Sequence, residues 1–92
     1  MTTYHCLIIT PSGKILDDQI ESLTAPGKEG FFGVLAHHAP MVTLLTKGVL
    51  QIKKDTDVKY FAIDPGILEV ASDNRVLILS DSATPTEITK IN

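Results

Sequence analysis

Short runs of β-forming residues, separated by turn signals, are the feature that most constrains the fold of this chain. Tyr4 to Thr10 is one such run and ends at a proline–glycine turn cluster. Val49 to Lys53 and Val58 to Ile63 flank a polar stretch of the kind that closes a hairpin. Gly66 to Ala71 and Arg75 to Ser80 are two further runs. This spacing predicts a single all-β domain, a small sandwich or barrel of about six to ten short strands.

Two segments give signals that are harder to interpret. Leu16, Ile20 and Leu23 fall at the spacing of an amphipathic helix of about two turns. The strand-like neighbours and the turn that follows favour a strand with a bulge, and the helix remains the alternative. Val76 to Leu79 is apolar at consecutive positions, which predicts a strand that is covered on both faces.

The C-terminal residues contain a helix-start signal. Thr84-Pro85-Thr86-Glu87 has the form of a capping box with proline at the first helical position. The few residues that follow Glu87 are too short for a stable isolated helix. A polar turn with a frayed tail is therefore favoured, and an extended tail or the start of a longer helix is the alternative.

Composition argues against several functional classes. The net charge of −3 is mild and the eight lysines and arginines are scattered, whereas nucleic-acid binding needs a basic face. No stretch approaches the ~20 apolar residues of a membrane-spanning helix, and the N-terminus lacks the features of a signal peptide. Cys6 is the only cysteine, so no internal disulfide can form.

No group of residues forms an enzyme signature. His5 and Cys6 would point to opposite faces of a strand, which favours a buried structural cysteine over a nucleophile with its base. His37 and His38 lack a third ligand at a diagnostic spacing, so loop histidines are favoured over a metal site. The pair Asp17-Asp18 is more typical of a solvated edge or turn than of paired catalytic carboxylates. We therefore predict no catalytic residue, no cofactor and no metal site.

The segment Pro26 to Pro40 is the most informative part of the chain for function. It holds two of the five prolines and three of the six glycines, residue types that impose or permit special backbone shapes. Its glycines lack the spacing of a dinucleotide fingerprint, but they let the backbone approach another surface closely. Phe31 and Phe32 lie between these glycines, and either one ring faces outward as an interface anchor or both rings fill the core. The segment is predicted to be a docking surface.

The same run, PGKEGFFGVLAHHAP, resembles the signature of the epsilon subunit of F-type ATP synthases. Further blocks resemble that family in the same order and at nearly the same spacing across residues 4 to 83. These blocks are Tyr4-His5 with the apolar residues after it, Thr10 to Gly13, Leu45 to Gly48, Gly66 to Val70 and Val76 to Ala83.

The resemblance implies a flattened all-β sandwich of about ten short strands, with a strand at Leu16 to Leu23. It also implies a non-catalytic rotor subunit that binds gamma and rests on the c-ring, helping to couple proton or sodium flow to ATP synthesis. Such a subunit is peripheral on the cytoplasmic face of a bacterial inner membrane, or on the equivalent side of another energy-transducing membrane. We expect no nucleic-acid partner, no direct lipid insertion and a monomeric isolated chain.

By position, the resemblance implies two sets of contact residues. Glu29, Phe31 and His38 match positions that meet the c-ring, and Thr10 and Thr43 match positions on the gamma-facing side. Some relatives carry an acidic residue where Phe31 stands.

The resemblance also divides the chain into two parts. Residues 1–83 correspond to the epsilon-type β-sandwich domain, and residues 84–92 to a tail where the C-terminal helical domain of longer relatives would begin. If the chain is complete, it is expected to couple but to lack helix-based inhibition of ATP hydrolysis and the ATP site of longer relatives; if it is a fragment, nothing follows about regulation. Relatives usually have paired glycines where this chain has Asp64-Pro65-Gly66, so the turn there can differ in shape. The alternative functions are a free-standing β-sandwich module that binds another protein and, third, a small hydrolase.

Overall fold

The computed structural model describes residues 2–87, and these form ten β-strands with no helix among them. In chain order the strands are β1 Tyr4–Thr10, β2 Gly13–Ile20, β3 Ser22–Gly27, β4 Gly30–Leu35, β5 Met41–Leu45, β6 Gly48–Lys54, β7 Asp57–Ile63, β8 Gly66–Val70, β9 Arg75–Ser80 and β10 Ala83–Thr86. The predicted all-β class and the expected number of short strands are confirmed.

The strands belong to one sheet that closes around a common core. Their order is β10-β7-β6-β3-β5-β8-β9-β1-β2, and β4 pairs with β3 outside this path. Strand β1 runs parallel to β9, whereas the other paired strands are antiparallel. Strands β2 and β10 are the two ends of the order, so the barrel-like sandwich stays open between them. Near this opening, the Lys54 ammonium lies 2.8 Å from the Asp18 carboxylate and links β6 to β2.

Alternation along the strands builds the core. Strand β1 buries every second residue from Tyr4 to Thr10, as the two-residue period of a strand requires. Cys6 is completely buried, and burial raises the pKa of its thiol to about 12. The Tyr4 hydroxyl donates a hydrogen bond of 2.7 Å to the Val34 carbonyl, which satisfies a buried polar group. The predicted buried structural cysteine is confirmed.

The segment from Leu16 to Leu23 is a strand with a bulge, and the helix alternative is wrong. Ile8 pairs with Leu16 while Ile9 pairs with Lys14, so Ile15 is the extra residue of the bulge. Leu16 and Ile20 point inward along β2. A break at Glu21 then shifts the alternation, so that Leu23 of β3 is also buried. The helix-like spacing of the buried residues 16, 20 and 23 therefore arises because the inward-facing positions shift by one residue between β2 and β3.

The residues from Thr84 to Thr86 are strand, so the extended alternative is correct here, and both the polar turn and the helix start are wrong for this part of the chain. Strand β10 pairs with β7 as far as the partners Thr86 and Tyr60. The expected domain boundary at residue 83 therefore falls three residues before the end of the last strand. The expectation of a frayed tail concerns residues 88–92, which lie outside the described residues.

Candidate protein-interaction surfaces

Most of the Pro26 to Pro40 segment is a β-hairpin rather than an irregular loop. Strands β3 and β4 pair up to Gly27 and Gly30, which leaves Lys28 and Glu29 as a two-residue tip. Gly30 has a φ of 122°, a conformation that favours glycine. A Cβ at Gly27 would lie 3.0 Å from the Gly30 carbonyl oxygen, so close approach also requires glycine there.

The two phenylalanines of β4 diverge, as one of the two sequence interpretations predicted. Phe32 packs against the core, whereas the Phe31 residue is 69% exposed. The alternative in which both rings fill the core is wrong. An exposed phenyl ring beside a tight hairpin tip is a candidate interface anchor.

Phe31 faces a groove of about 530 Å³ between the hairpin and strand β5. Val42 and Leu44 of β5 line the other wall, and they are 67% and 60% exposed. Lys28 and Glu29 lie at the hairpin end of the same groove. The groove therefore combines apolar walls with one charge of each sign.

The three predicted c-ring residues all lie on or next to β4, but at different positions along it. Glu29 precedes the strand at the tip and is exposed, and Phe31 follows it. His38 lies beyond the opposite end, where its backbone N–H donates to the Leu35 carbonyl at 3.2 Å. Gly30 to Leu35 covers about 17 Å of extended chain. A single surface that contacts all three residues must therefore run along this strand.

The two predicted gamma contacts lie on different strands. Thr10 is only 6% exposed, and its hydroxyl accepts a hydrogen bond of 3.2 Å from the Ser12 N–H in the β1–β2 turn. Thr43 is half-buried on β5, between Val42 and Leu44, and lines the groove beside Phe31. Their contact with gamma stays a prediction.

A larger apolar surface was not identified from the sequence. We call it the apolar face: the outward side chains of four adjacent strands, β5, β8, β9 and β1. Strand register aligns Leu44, Ile67, Leu79 and Ile9 in one row across these strands. Its apolar members are Leu7, Ile9, Val42, Leu44, Ile67, Leu77 and Leu79, and the exposed Glu69 of β8 lies among them, opposite Val42 and Leu77.

Charged residues border the apolar face on the β2 side. Asp17 of β2 lies opposite Leu7. Its carboxylate accepts a hydrogen bond of 2.7 Å from the Lys14 ammonium and also contacts the His5 ring. These hydrogen bonds, that of Lys14 first, lower the pKa of the Asp17 carboxyl from its ordinary value. An apolar centre with a polar rim is the anatomy of a protein–protein interface.

The run Val76 to Leu79 is apolar at every position, so it places apolar side chains on both sides of β9 and indicated part of this surface. Val76 and Ile78 are buried in the core, as the prediction of a covered strand requires. Leu79, however, is 42% exposed, because residues 2–87 supply no layer over the outer side of β9. Within these residues, the expectation of coverage on both sides is therefore wrong.

The remaining sequence candidates are placed as the favoured interpretations predicted. His5 and Cys6 point to opposite faces of β1. Asp17 and Asp18 likewise diverge on β2 and bind different lysines, so they form no carboxylate pair. Within residues 2–87 no cluster of histidine, cysteine or acidic side chains has the geometry to hold a metal ion. No helix in this part of the chain is long and apolar enough to cross a membrane.

Comparison with known proteins agrees with the fold. Residues 3–86 match the family described as ATP synthase, Delta/Epsilon chain, beta-sandwich domain. The ATP synthase epsilon chain of Leptospira borgpetersenii is 43% identical over 74 residues, which cover 80% of this chain and 58% of that relative. The chain thus spans little more than half the length of this relative.

Two solved structures have the same fold. A chain of the Euglena gracilis mitochondrial ATP synthase superposes with a TM-score of 0.87 at 24% identity, covering 92% of this chain and 54% of that one. A chain of the central stalk/c-ring structure of the Tetrahymena thermophila mitochondrial ATP synthase gives a TM-score of 0.77 at 21% identity, covering 86% and 63%. The match over residues 3–86 shows that the chain belongs to the family of ATP synthase delta/epsilon-chain β-sandwich domains.

Proposed function

We propose that the chain is the sandwich part of an epsilon subunit and acts as a non-catalytic coupling element in the central stalk of an F-type ATP synthase. In this role it binds gamma through the apolar face and rests on the c-ring through the β4 region. The observation that carries the proposal is the apolar face, which the described residues leave without a covering layer. Family membership identifies the complex whose subunits would supply that layer.

The size of the apolar face supports a stable contact with gamma. Val42, Leu44, Ile67 and Leu79 are 67%, 60%, 41% and 42% exposed, so together they leave about two whole side chains uncovered. Full burial of a Val, Leu or Ile side chain contributes about 1.5–3 kcal/mol. Covering these four residues therefore contributes about 3–6 kcal/mol before the cost of association.

The predicted gamma contacts fit this surface indirectly. Thr10 follows Ile9 at the end of β1, and Thr43 lies between Val42 and Leu44 on β5. Both threonines therefore belong to strands that form the apolar face, although their own side chains point away from it. A subunit seated on this face would therefore meet these two strands rather than the side chains of Thr10 and Thr43.

The c-ring contact would follow the length of β4. Glu29 at the hairpin tip, Phe31 on the strand and His38 beyond its end are the contact residues that we propose. They offer a carboxylate, a phenyl ring and an imidazole, groups that bind polar loops without acid–base chemistry. An assembled sheet held at two such surfaces is stiff enough to transmit rotation between gamma and the c-ring.

This function implies a position beside the membrane without insertion into it. The subunit would be peripheral on the cytoplasmic face of a bacterial inner membrane, or on the equivalent side of another coupling membrane. The complex would translocate protons or sodium ions, and this chain would bind neither ATP nor a metal cofactor.

Binding and coupling can be tested on the same complex. The tagged chain is added to an ATP synthase preparation that has been stripped of its epsilon subunit, and co-purification of gamma is measured. Membranes rebuilt with the chain should regain ATP-driven ion pumping. A folded chain that does not retain gamma contradicts the proposal, and ATP hydrolysis by the isolated chain would indicate a hydrolase instead.

The c-ring contact needs its own variant. Replacing Phe31 and His38 together should weaken docking on the c-ring more than it lowers the melting temperature, because the Phe31 ring is exposed and His38 is only half-buried. A large fall in melting temperature with unchanged docking would assign both residues a purely structural role.

A further inference from the structure

The groove beside Phe31 is continuous with the apolar face. Val42 and Leu44 belong to both surfaces, because they line the groove and also lie in register with Ile67 and the strands beyond it. A partner that covers the apolar face as far as its β5 edge therefore arrives directly at the groove opening.

We infer that gamma inserts an apolar side chain into this groove, so that Phe31 is a specificity-determining residue of the gamma interface. The inference rests on the proposed function, namely that gamma covers the apolar face. It extends that interface from the sheet onto the β3–β4 hairpin. Phe31 thereby lies where the gamma surface meets the surface proposed for the c-ring.

The dimensions of the groove suit a large apolar side chain. A cavity of about 150 Å³ is enough to hold a benzene molecule, and the groove measures about 530 Å³. The Phe31 ring forms one wall, and Val42 and Leu44 form the facing wall. An aromatic or long aliphatic side chain would contact both walls at once and remove all three residues from water.

Polar side chains also line the groove and could contact the inserted gamma side chain. Lys28 and Glu29 stand at the hairpin tip, and Thr43 contributes to the floor between the two apolar residues of β5. Polar groups around a buried aromatic anchor exclude water from the contact and fix its orientation. A gamma side chain with an apolar body is therefore favoured over a charged one.

Strand β4 offers a matched control for this inference. Leu35 is 67% exposed, nearly the same as Phe31 at 69%, and it lies on the same outward side of β4. It does not line the groove. Phe31→Ser and Leu35→Ser thus remove comparable exposed apolar side chains from one strand, but only the first removes a groove wall.

The experiment measures binding of the full chain to a gamma-containing ATP synthase subcomplex that lacks both the epsilon subunit and the c-ring. We expect Phe31→Ser to weaken this binding about tenfold or more, as loss of an interface anchor does. We expect Leu35→Ser to bind like the unaltered chain. Ile67→Asp, at the centre of the apolar face, serves as the reference variant that should lose binding to gamma.

The outcomes separate the inference from the proposed function. Unchanged binding of Phe31→Ser, with binding lost in Ile67→Asp, overturns the groove contact and leaves the gamma interface in place. Equal losses for Phe31→Ser and Leu35→Ser also overturn the groove contact, because the effect would then belong to β4 as a whole. Unchanged binding of all three variants overturns the proposed gamma interface itself.

Discussion

A charge placed at the centre of the apolar face gives the sharpest test of how this domain binds its partner. Ile67 of β8 lies between Leu44 of β5 and Leu79 of β9 in the strand register. Ile67→Asp therefore puts a carboxylate among aliphatic neighbours, with no cation on either adjoining strand at that row. The substitution leaves the core unchanged, since Ile67 points outward from the sheet.

The size of the effect follows from exposure and charge. Ile67 is 41% exposed, so its coverage by a partner contributes about 0.6–1.2 kcal/mol of the roughly 1.5–3 kcal/mol for a whole side chain. An unpaired carboxylate buried in the contact costs about 3 kcal/mol more. The expected loss of about 4 kcal/mol weakens the affinity for gamma about 1,000-fold.

Val58 supplies the matched control, because it is 40% exposed and lies on β7, outside the apolar face. Binding of Ile67→Asp and Val58→Asp to a gamma-containing complex is measured by isothermal titration, and thermal unfolding checks that both variants fold. Each substitution removes a β-branched side chain that is about 60% covered in the free chain, so both should lower the free energy of unfolding by a similar amount, about 1–2 kcal/mol. Equal affinities of the two variants for gamma would refute the reasoning, as would a binding loss that simply follows a loss of folding.

Three further predictions concern stability and reactivity. Gly66→Ala should lower the free energy of unfolding by about 1–3 kcal/mol in denaturant titrations, because its Cβ would lie 2.0 Å from a carbonyl oxygen of β9; Gly33→Ala, with 3.7 Å of clearance, should not. The hydrogen bonds from Lys54 lower the pKa of the Asp18 carboxyl below its ordinary 3.8. The Asp18–Lys54 pair therefore stabilises the fold fully above pH 3.8, and this stabilisation is lost as the pH falls through the pKa of Asp18 in the folded chain. Asp18→Asn should therefore show a shallower loss of melting temperature below pH 3.8 than the unaltered chain, and an identical acid profile would contradict this. The Cys6 thiol should resist iodoacetamide at pH 8 until denaturant is added, and rapid alkylation of the native protein would show that its burial is incomplete.

Strands flanked by polar turns were predictable from the sequence. The β6–β7 hairpin is an example: Lys54 pairs with Asp57, and the polar residues between them form the expected turn. Strand β4 was not predicted, and β10 was predicted only as the extended alternative, because they contain glycine or proline. Gly33 and Pro85 are tolerated there since each of these strands pairs with only one neighbour in the described sheet. Local propensity alone does not reveal which strands lie at an edge.

The candidate surfaces were predictable only in part, for a related reason. The density of glycine around Phe31 and Phe32 indicated a shaped segment, but it left open whether one ring or neither faces outward; the structure shows Phe31 outward and Phe32 against the core. The apolar face depends instead on register between strands that are far apart in the chain, such as Leu44 with Ile67 and Ile9 with Leu79. A two-residue period assigns side chains to opposite faces, but it does not say which face this chain covers.

A comparison between two strands of the same sheet shows what the sequence does encode about the partner. Strand β6 alternates buried Leu50 and Ile52 with exposed Gln51 and Lys53, which is the pattern of a sheet with one solvent-exposed face. Strand β9 buries Val76 and Ile78 in the same way, yet leucines occupy its outward positions 77 and 79. Solvent alone gives no reason for apolar residues on the outer side of one strand and polar residues on the other. The difference favours a state in which the outer side of β9 is covered, and this is the side of the sheet on which we propose that gamma binds.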